Sequence, residues 1–196
     1  MKMIKGNTVE LRSANLADRR MVWEWSEHSD VAHLLLSPDQ DGPNPFDQWC
    51  AGWKEYYFAD ESPELGRGFI VLFDGNPVGF IAYNDIDPKN RVELDIWMNS
   101  EANCGKGFGP DAIKTLCAHL TAEFGVNTFM MQPSARNPRA IRAYQKAGFV
   151  RTPATPEQIR AEWGGVDAED SVLMIRKEDH TTGASTTTDH PALRTG

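Results

Sequence analysis

Between residues 103 and 149 the chain places two helix starts, each with its own signature, about one strand apart. The first is spaced by glycine, Asn103-Cys-Gly-Lys-Gly-Phe-Gly109, and Pro110 then opens a helix striped by Ile113, Leu116, Cys117, Leu120 and Phe124. The second is Asn137-Pro-Arg-Ala-Ile-Arg-Ala-Tyr144-Gln-Lys-Ala-Gly-Phe149, with proline in the first turn and glycine past the end. Gly105, Gly107 and Gly109 let the main chain adopt positive φ and approach a ligand closely. Free amides at the helix start, aided by the helix dipole, favour an anion there, and Lys106 adds charge. A pyrophosphate is a natural occupant, although a plain turn into a helix explains the loop equally well when it is taken alone. No Lys-Ser/Thr pair ends it, so it is not a Walker loop. The next strand, Val126-Asn-Thr-Phe-Met-Met-Gln132, lacks the acid that a dinucleotide fold requires.

The remaining pattern is a mixed α/β fold on a largely antiparallel sheet. Thr8–Arg12 alternates like a half-buried strand. Asn15 caps a helix through Met21, Val22 and Trp25 to about His28, with Asp18 closing a capping box. His33–Pro45 reads as loop, and Phe46–Phe58 returns to helical spacing. Gly68–Phe73 and Pro77–Tyr83 form a hairpin across Asp74-Gly75-Asn76. Arg91–Met98 and Val126–Met131 are further strands. After the second helix come strands at Phe149–Arg151 and Ser171–Arg176, with a short helix near Pro156–Trp163 between them. Residues 1–178 make one domain, and 179–196, rich in threonine, is expected to be a disordered tail.

Composition narrows the class. Acidic residues outnumber basic ones, 28 to 20, which disfavours nucleic acid and suits a small cationic ligand, or only solubility. No apolar run is long enough to span a membrane and no secretory leader is legible. Cys50, Cys104 and Cys117 are odd in number and far apart, which suits a reducing cytoplasm, with no metal site expected. His28, His33 and His119 are equally scattered.

One strand concentrates polar chemistry. Alternation in Arg91–Met98 sends Val92, Leu94, Ile96 and Met98 to one face, and Arg91, Glu93, Asp95 and Trp97 to the other. Two carboxylates and an indole on one face look like a cation site; a solvated outer face is the ordinary meaning of such alternation.

The loop Cys104-Gly-Lys-Gly-Phe-Gly109, followed by Asn137 and Tyr144, resembles the GNAT N-acetyltransferase superfamily, whose loop is commonly written Gln/Arg-x-x-Gly-x-Gly/Ala. Only the first position departs, putting one side-chain contact in question and not the amide cradle. Within it the chain is most similar to the aminoglycoside 6′-N-acetyltransferases. The points of likeness are Val9–Arg12 opening onto Trp23-Glu-Trp25, the Leu94-Asp95 pair before the loop, and Pro133–Phe149.

The resemblance implies a GNAT-like central sheet with a β-bulged strand before a pyrophosphate loop, and acetyl-CoA as co-substrate without metal. It implies cofactor contacts from Trp97, Met98, Asn99, Cys104, Gly105, Lys106, Gly107, Phe108, Gly109, Asn137 and Tyr144. Substrate contacts fall to Glu93, Asp95, Trp25 and Gln132, and acetyl passes directly to a primary amine of a small cation, conferring aminoglycoside resistance. Asp95 is implied as holder of the ammonium and acceptor of its proton, and Tyr144 as donor toward the leaving thiolate. Some aminoglycoside enzymes carry an acid where this chain has Gln132, which weakens the substrate assignment. Trp23, Trp49 and Trp53 join Trp25 on the early helices, where most are expected in the core and one or two toward the acceptor, and Glu27, Asp30, Asp39 and Asp41 are expected to add negative potential or only solubility there. Other amines (a protein N-terminus, a polyamine, a siderophore precursor) and a non-catalytic acyl-CoA-binding module stay open, as does monomer or homodimer.

Overall fold

The structure, a computed structural model, describes residues 3–35, 42–59, 62–163 and 171–178. The tail expected at 179–196 lies outside them, as do Asp39 and Asp41. The described strands join in one sheet of order β1-β2-β3-β4-β5-β6-β8-β7. They are β1 Met3–Lys5, β2 Glu10–Ser13, β3 Gly66–Phe73, β4 Asn76–Asn84, β5 Arg91–Met98, β6 Thr128–Met131, β7 Val150–Arg151 and β8 Met174–Lys177. All neighbours run antiparallel except β5 and β6. The helices are α1 Arg19–His28, α2 Phe46–Gly52, α3 Phe108–Phe124, α4 Pro138–Lys146 and α5 Pro156–Trp163.

Local signals explain the elements. The Asn15 side chain accepts from the Ala17 amide at 2.9 Å, and the Asp18 carboxylate takes the Asn15 amide at 2.8 Å, closing the capping box ahead of α1. Asp74 and Gly75 at φ 49° and 75° make the two-residue turn that right-handed strand twist favours between β3 and β4. On α3, Ile113, Leu116, Cys117 and Leu120 are wholly buried against one sheet face. Each large apolar side chain there contributes roughly 1.5–3 kcal/mol by leaving water. Asp111 anchors the same helix to the β1–β2 turn, accepting the Thr8 and Val9 amides at 2.7 and 2.9 Å.

Four expectations need correction. A short first strand, β1, precedes the one expected. The segment 46–58 is not one helix: α2 ends at Gly52, Trp53 leaves helical geometry (φ −83°, ψ 81°), and a 3-10 turn spans Glu55–Phe58. Gly52 holds a helix poorly. Arg19 on α1 donates to the Trp53 carbonyl at 2.8 Å, and the Trp53 ring packs edge-on against Phe80 and Trp97, which pins the break. The bulge expected in β5 lies one strand back. Pairing shifts between Val71 and Leu72 opposite Pro77–Gly79, whereas β5 pairs regularly with β4 from Gly79↔Met98 to Tyr83↔Leu94.

Finally, the polar-looking face of β5 is not a solvated one. Trp97 is buried there in a second, aromatic core with Phe80 of β4 and with Trp23, Trp49 and Phe58, which α1, α2 and the turn after it supply. The sheet is therefore covered on both sides, and Asp95 is half-buried between two buried neighbours, Leu94 and Ala82.

Candidate active site

Strands β5 and β6 pair only from Arg91↔Thr128 to Glu93↔Met130. Past Glu93 they part: β5 continues beside β4, while β6 ends at Met131 and the chain turns away through Gln132 and Pro133. Among the described residues no strand pairs with this edge of β5 from Leu94 onward. Two clefts open along this gap. One, of about 350 Å³, is lined by Asp95, Gln132, Glu27, Asn44, Trp49 and Trp53 among others. The other, of about 370 Å³, is lined by Met98, Cys104, Gly105, Gly107, Gly109 and the basic face of α4. Ile96, Trp97, Asn137, Ala140 and Tyr144 belong to both, so the clefts meet at Tyr144.

The loop has the features of an anion cradle. Gly105 and Gly107 adopt φ 75° and 89°, and a Cβ on either would meet nothing within 4 Å. The amides of Gly105, Lys106, Gly107, Phe108 and Gly109 donate to no acceptor among the described residues. They sit at the start of a 17-residue helix, where the dipole favours negative charge. Facing them, Arg139, Arg142 and Lys146 line the same cleft from α4 at helical spacing. Arg139 is already paired, holding both oxygens of Glu101, and this holds the Glu101 carboxyl below its ordinary range. Five unengaged amides, open space and two further cations fit a diphosphate and an additional phosphate.

The expected cofactor residues divide. Trp97, Met98, Cys104, Gly105, Gly107, Gly109, Asn137 and Tyr144 line the loop-side cleft. Asn137 also caps α4, its Oδ1 accepting from the Ala140 amide at 3.0 Å. Three others are placed differently. Asn99 turns to β4: its amide donates to Val78 O and its side chain to Pro77 O, both at 3.0 Å. Phe108 keeps its amide at the loop but buries its ring against Phe73. Lys106 is exposed, its ammonium 5.9 Å from the Phe108 ring.

On the other side, Asp95 and Gln132 line the first cleft. Glu93 lies behind Gln132, accepting its Nε2 at 2.9 Å. Trp25 lies outside both clefts, half-buried on the second core, and Trp49 and Trp53 take the place it was assigned. Asp30 accepts the Glu101 amide at 2.8 Å. Burial, and secondarily the Asp95 charge, push the Tyr144 hydroxyl above its ordinary pKa, so it remains a protonated donor. Burial likewise raises the Cys104 thiol. Among the described residues no three His, Cys, Asp or Glu side chains gather as a metal site, and no helix is long and apolar enough to cross a membrane.

Sequence reasoning missed Ser134, Ser171 and Asn44 in the first cleft, which distant segments deliver and no local pattern marks. It also missed the cations of α4. Their spacing at 139, 142 and 146, a basic stripe in an acidic chain, is a legible signal.

A splayed parallel pair, a glycine cradle at a helix start and a shared tyrosine together make a site suited to an extended anionic cofactor. Residues 8–150 match the acetyltransferase (GNAT) domain family, and the chain belongs to it. It is an acyltransferase of that N-acetyltransferase type. Among relatives, an aminoglycoside N(6′)-acetyltransferase type 1 of Klebsiella pneumoniae is 27% identical over 166 residues, covering 77% of this chain and 79% of that protein. A spermine/spermidine N(1)-acetyltransferase of Bacillus subtilis (strain 168) is 36% identical over 85 residues, covering 40% of this chain and 56% of that one. Among solved structures, AAC(6′)-Ib in complex with ribostamycin and coenzyme A has a TM-score of 0.68 at 21% identity, covering 87% of this chain and 94% of that chain.

Proposed function

We propose that this enzyme transfers acetyl from acetyl-CoA directly to a primary amine of a small polycation, an aminoglycoside at its 6′-amino group. The observation that carries this reading is the shared position of Tyr144. It lines the loop-side cleft and the acidic cleft at once, and it feels the charge of Asp95. Aminoglycoside acetylation in the cytoplasm, and hence resistance, follows as the physiological role. The aminoglycoside relative and the unpaired cysteines support it. A polyamine acceptor is the second reading, favoured by the Bacillus relative.

Acetyl-CoA supplies the acetyl thioester. The amides of residues 105–109 hold its diphosphate, and Arg142 and Lys146 attract its remaining phosphate. The edge of β5 at Trp97 and Met98 flanks the pantetheine arm. Asp95 holds the acceptor ammonium and accepts its proton, directly or through water, so that the free amine can form the new C–N bond as the C–S bond breaks. Tyr144 donates a hydrogen bond to the departing thiolate. With its pKa raised, complete transfer to a thiolate of pKa about 8.5 is uphill, so solvent takes the second proton that the nitrogen loses as the amide forms and supplies the one that the thiolate gains. No protein nucleophile is required.

A thiol-release assay with acetyl-CoA across kanamycin-type sugars, spermidine and an N-terminal peptide tests the reading. Turnover is expected with the sugars and only weakly with the peptide. Turnover confined to spermidine would select the second reading. Coenzyme A binding with no amine acetylated would refute both.

A further inference from the structure

Glu27 does not fit a purely structural account. It is 7% exposed and lines the acidic cleft, and no cation pairs with it among the described residues. Its Oε2 accepts the Asn44 amide at 2.6 Å, and among the described residues its Oε1 has only the Asn44 side-chain nitrogen at 3.5 Å, the outer limit of a hydrogen bond. A carboxylate removed from water without a counter-charge is strongly disfavoured, and one main-chain amide replaces little of its hydration. The segment 36–41, Leu-Ser-Pro-Asp-Gln-Asp, contributes two more acids to the sequence beside Asn44 and no cation.

A second acceptor in the same cleft is also unmatched. Gln132 donates its Nε2 to Glu93, which fixes the amide orientation and leaves Oε1 buried with no donor. Arg136, at the turn before α4, supplies positive charge to this cleft without bonding to Glu27.

We infer that Glu27, assisted by the Gln132 Oε1, is a second cation-binding pole of the acceptor cleft. It takes a second ammonium group while the amine to be acetylated lies at Asp95. This rests on the amine-acetyltransferase reading above and deepens it by assigning the side chain that takes the polycation's second charge. A monoamine leaves Glu27 without a partner.

Glu27 also positions a strap, because Asn44 is held at its amide by Glu27 and at its carbonyl by the Trp23 indole at 2.9 Å. Glu27→Gln separates the roles, since glutamine still accepts the Asn44 amide but carries no charge. The experiment is titration calorimetry on the full chain saturated with coenzyme A. The probes are α,ω-diamines from propane-1,3-diamine to octane-1,8-diamine, each compared with the alkylamine in which a methyl replaces one ammonium.

In the parent, at least one diamine should bind about 10- to 100-fold more tightly than its isostere, the effect of one desolvated charge-assisted contact. Glu27→Gln should shrink that ratio by a similar factor. No preference at any length in the parent overturns the proposal without needing the variant. A variant that weakens diamines and monoamines by one common factor, with a lowered Tm, also overturns it and makes Glu27 a strap anchor. Diamine preference without acetyl transfer to any amine would sink the proposed activity and leave the pole. Acetyl transfer with no diamine preference would do the reverse.

Discussion

Replacing Gly107 by alanine separates backbone strain from ligand contact. Gly107 precedes α3 at φ 89° and ψ −3°, and a Cβ there meets no atom within 4 Å. The new methyl clashes with nothing in the protein and brings only left-handed strain, about 1–2 kcal/mol for an L-residue. Gly125 follows the same helix at φ 69° and ψ 20°, its Cβ space equally empty, and lies outside both clefts. It is a matched control. Gly125→Ala should lose about 1–2 kcal/mol in urea unfolding, and Gly107→Ala less, by the strain that its open loop sheds. In Gly107→Ala the free loop relaxes toward negative φ, and binding must restore the cradle. That costs up to the same energy, so the Kd for coenzyme A should rise by about 5- to 30-fold. Gly125→Ala should leave Kd unchanged. If Gly107→Ala loses less stability than Gly125→Ala and calorimetry still finds equal Kd values for the two, the loop does not form the diphosphate site.

Four further outcomes follow from the site. Asp95→Ala should lower kcat by about 10²- to 10⁴-fold, the range for losing a positioned base, while the Kd for acetyl-CoA stays nearly unchanged; parental turnover would remove Asp95 from the chemistry. Tyr144→Phe should cost about 10- to 100-fold in kcat, one hydrogen bond to a charged sulfur. Because the phenol pKa is raised, parental kcat should climb with pH as the amine deprotonates and show no decline near pH 10, the ordinary tyrosine value; a decline there absent from Tyr144→Phe would contradict this. Saturating acetyl-CoA should slow alkylation of Cys104, which lines its cleft, while Cys117, buried with its thiol pushed up to about 12, stays unreactive with or without it; peptide mapping by mass spectrometry reads both.

Elements defined by short-range chemistry were legible from the chain alone. The Asn15 capping box and the Asp74-Gly75 turn rest on contacts within a few residues, and β5 and the apolar stripe of α3 on the periodicity of their own sequence. What needed the structure is non-local. Alternation in β5 distinguishes two faces but says nothing about what covers each. Only the packing of α1, α2 and the bent segment at Trp53 shows that the face bearing Asp95 and Trp97 is closed over. Periodicity at Trp49, Trp53 and Tyr56 reads as one helix because it cannot register a carbonyl claimed by Arg19 from another element. Trp25 and Trp53 look alike in sequence, and tertiary packing alone decides which faces the cleft. Glu27 and Asn44 stand 17 positions apart, and no periodicity in the sequence between them announces their contact.

The most direct test is a crystal structure of the protein with coenzyme A bound. The diphosphate should lie about 3 Å from the main-chain nitrogens of residues 105–109, with the sulfur within hydrogen-bond reach of the Tyr144 hydroxyl where the two clefts join. A diphosphate bound elsewhere, or a sulfur directed away from Tyr144 and Asp95, would contradict the proposed chemistry.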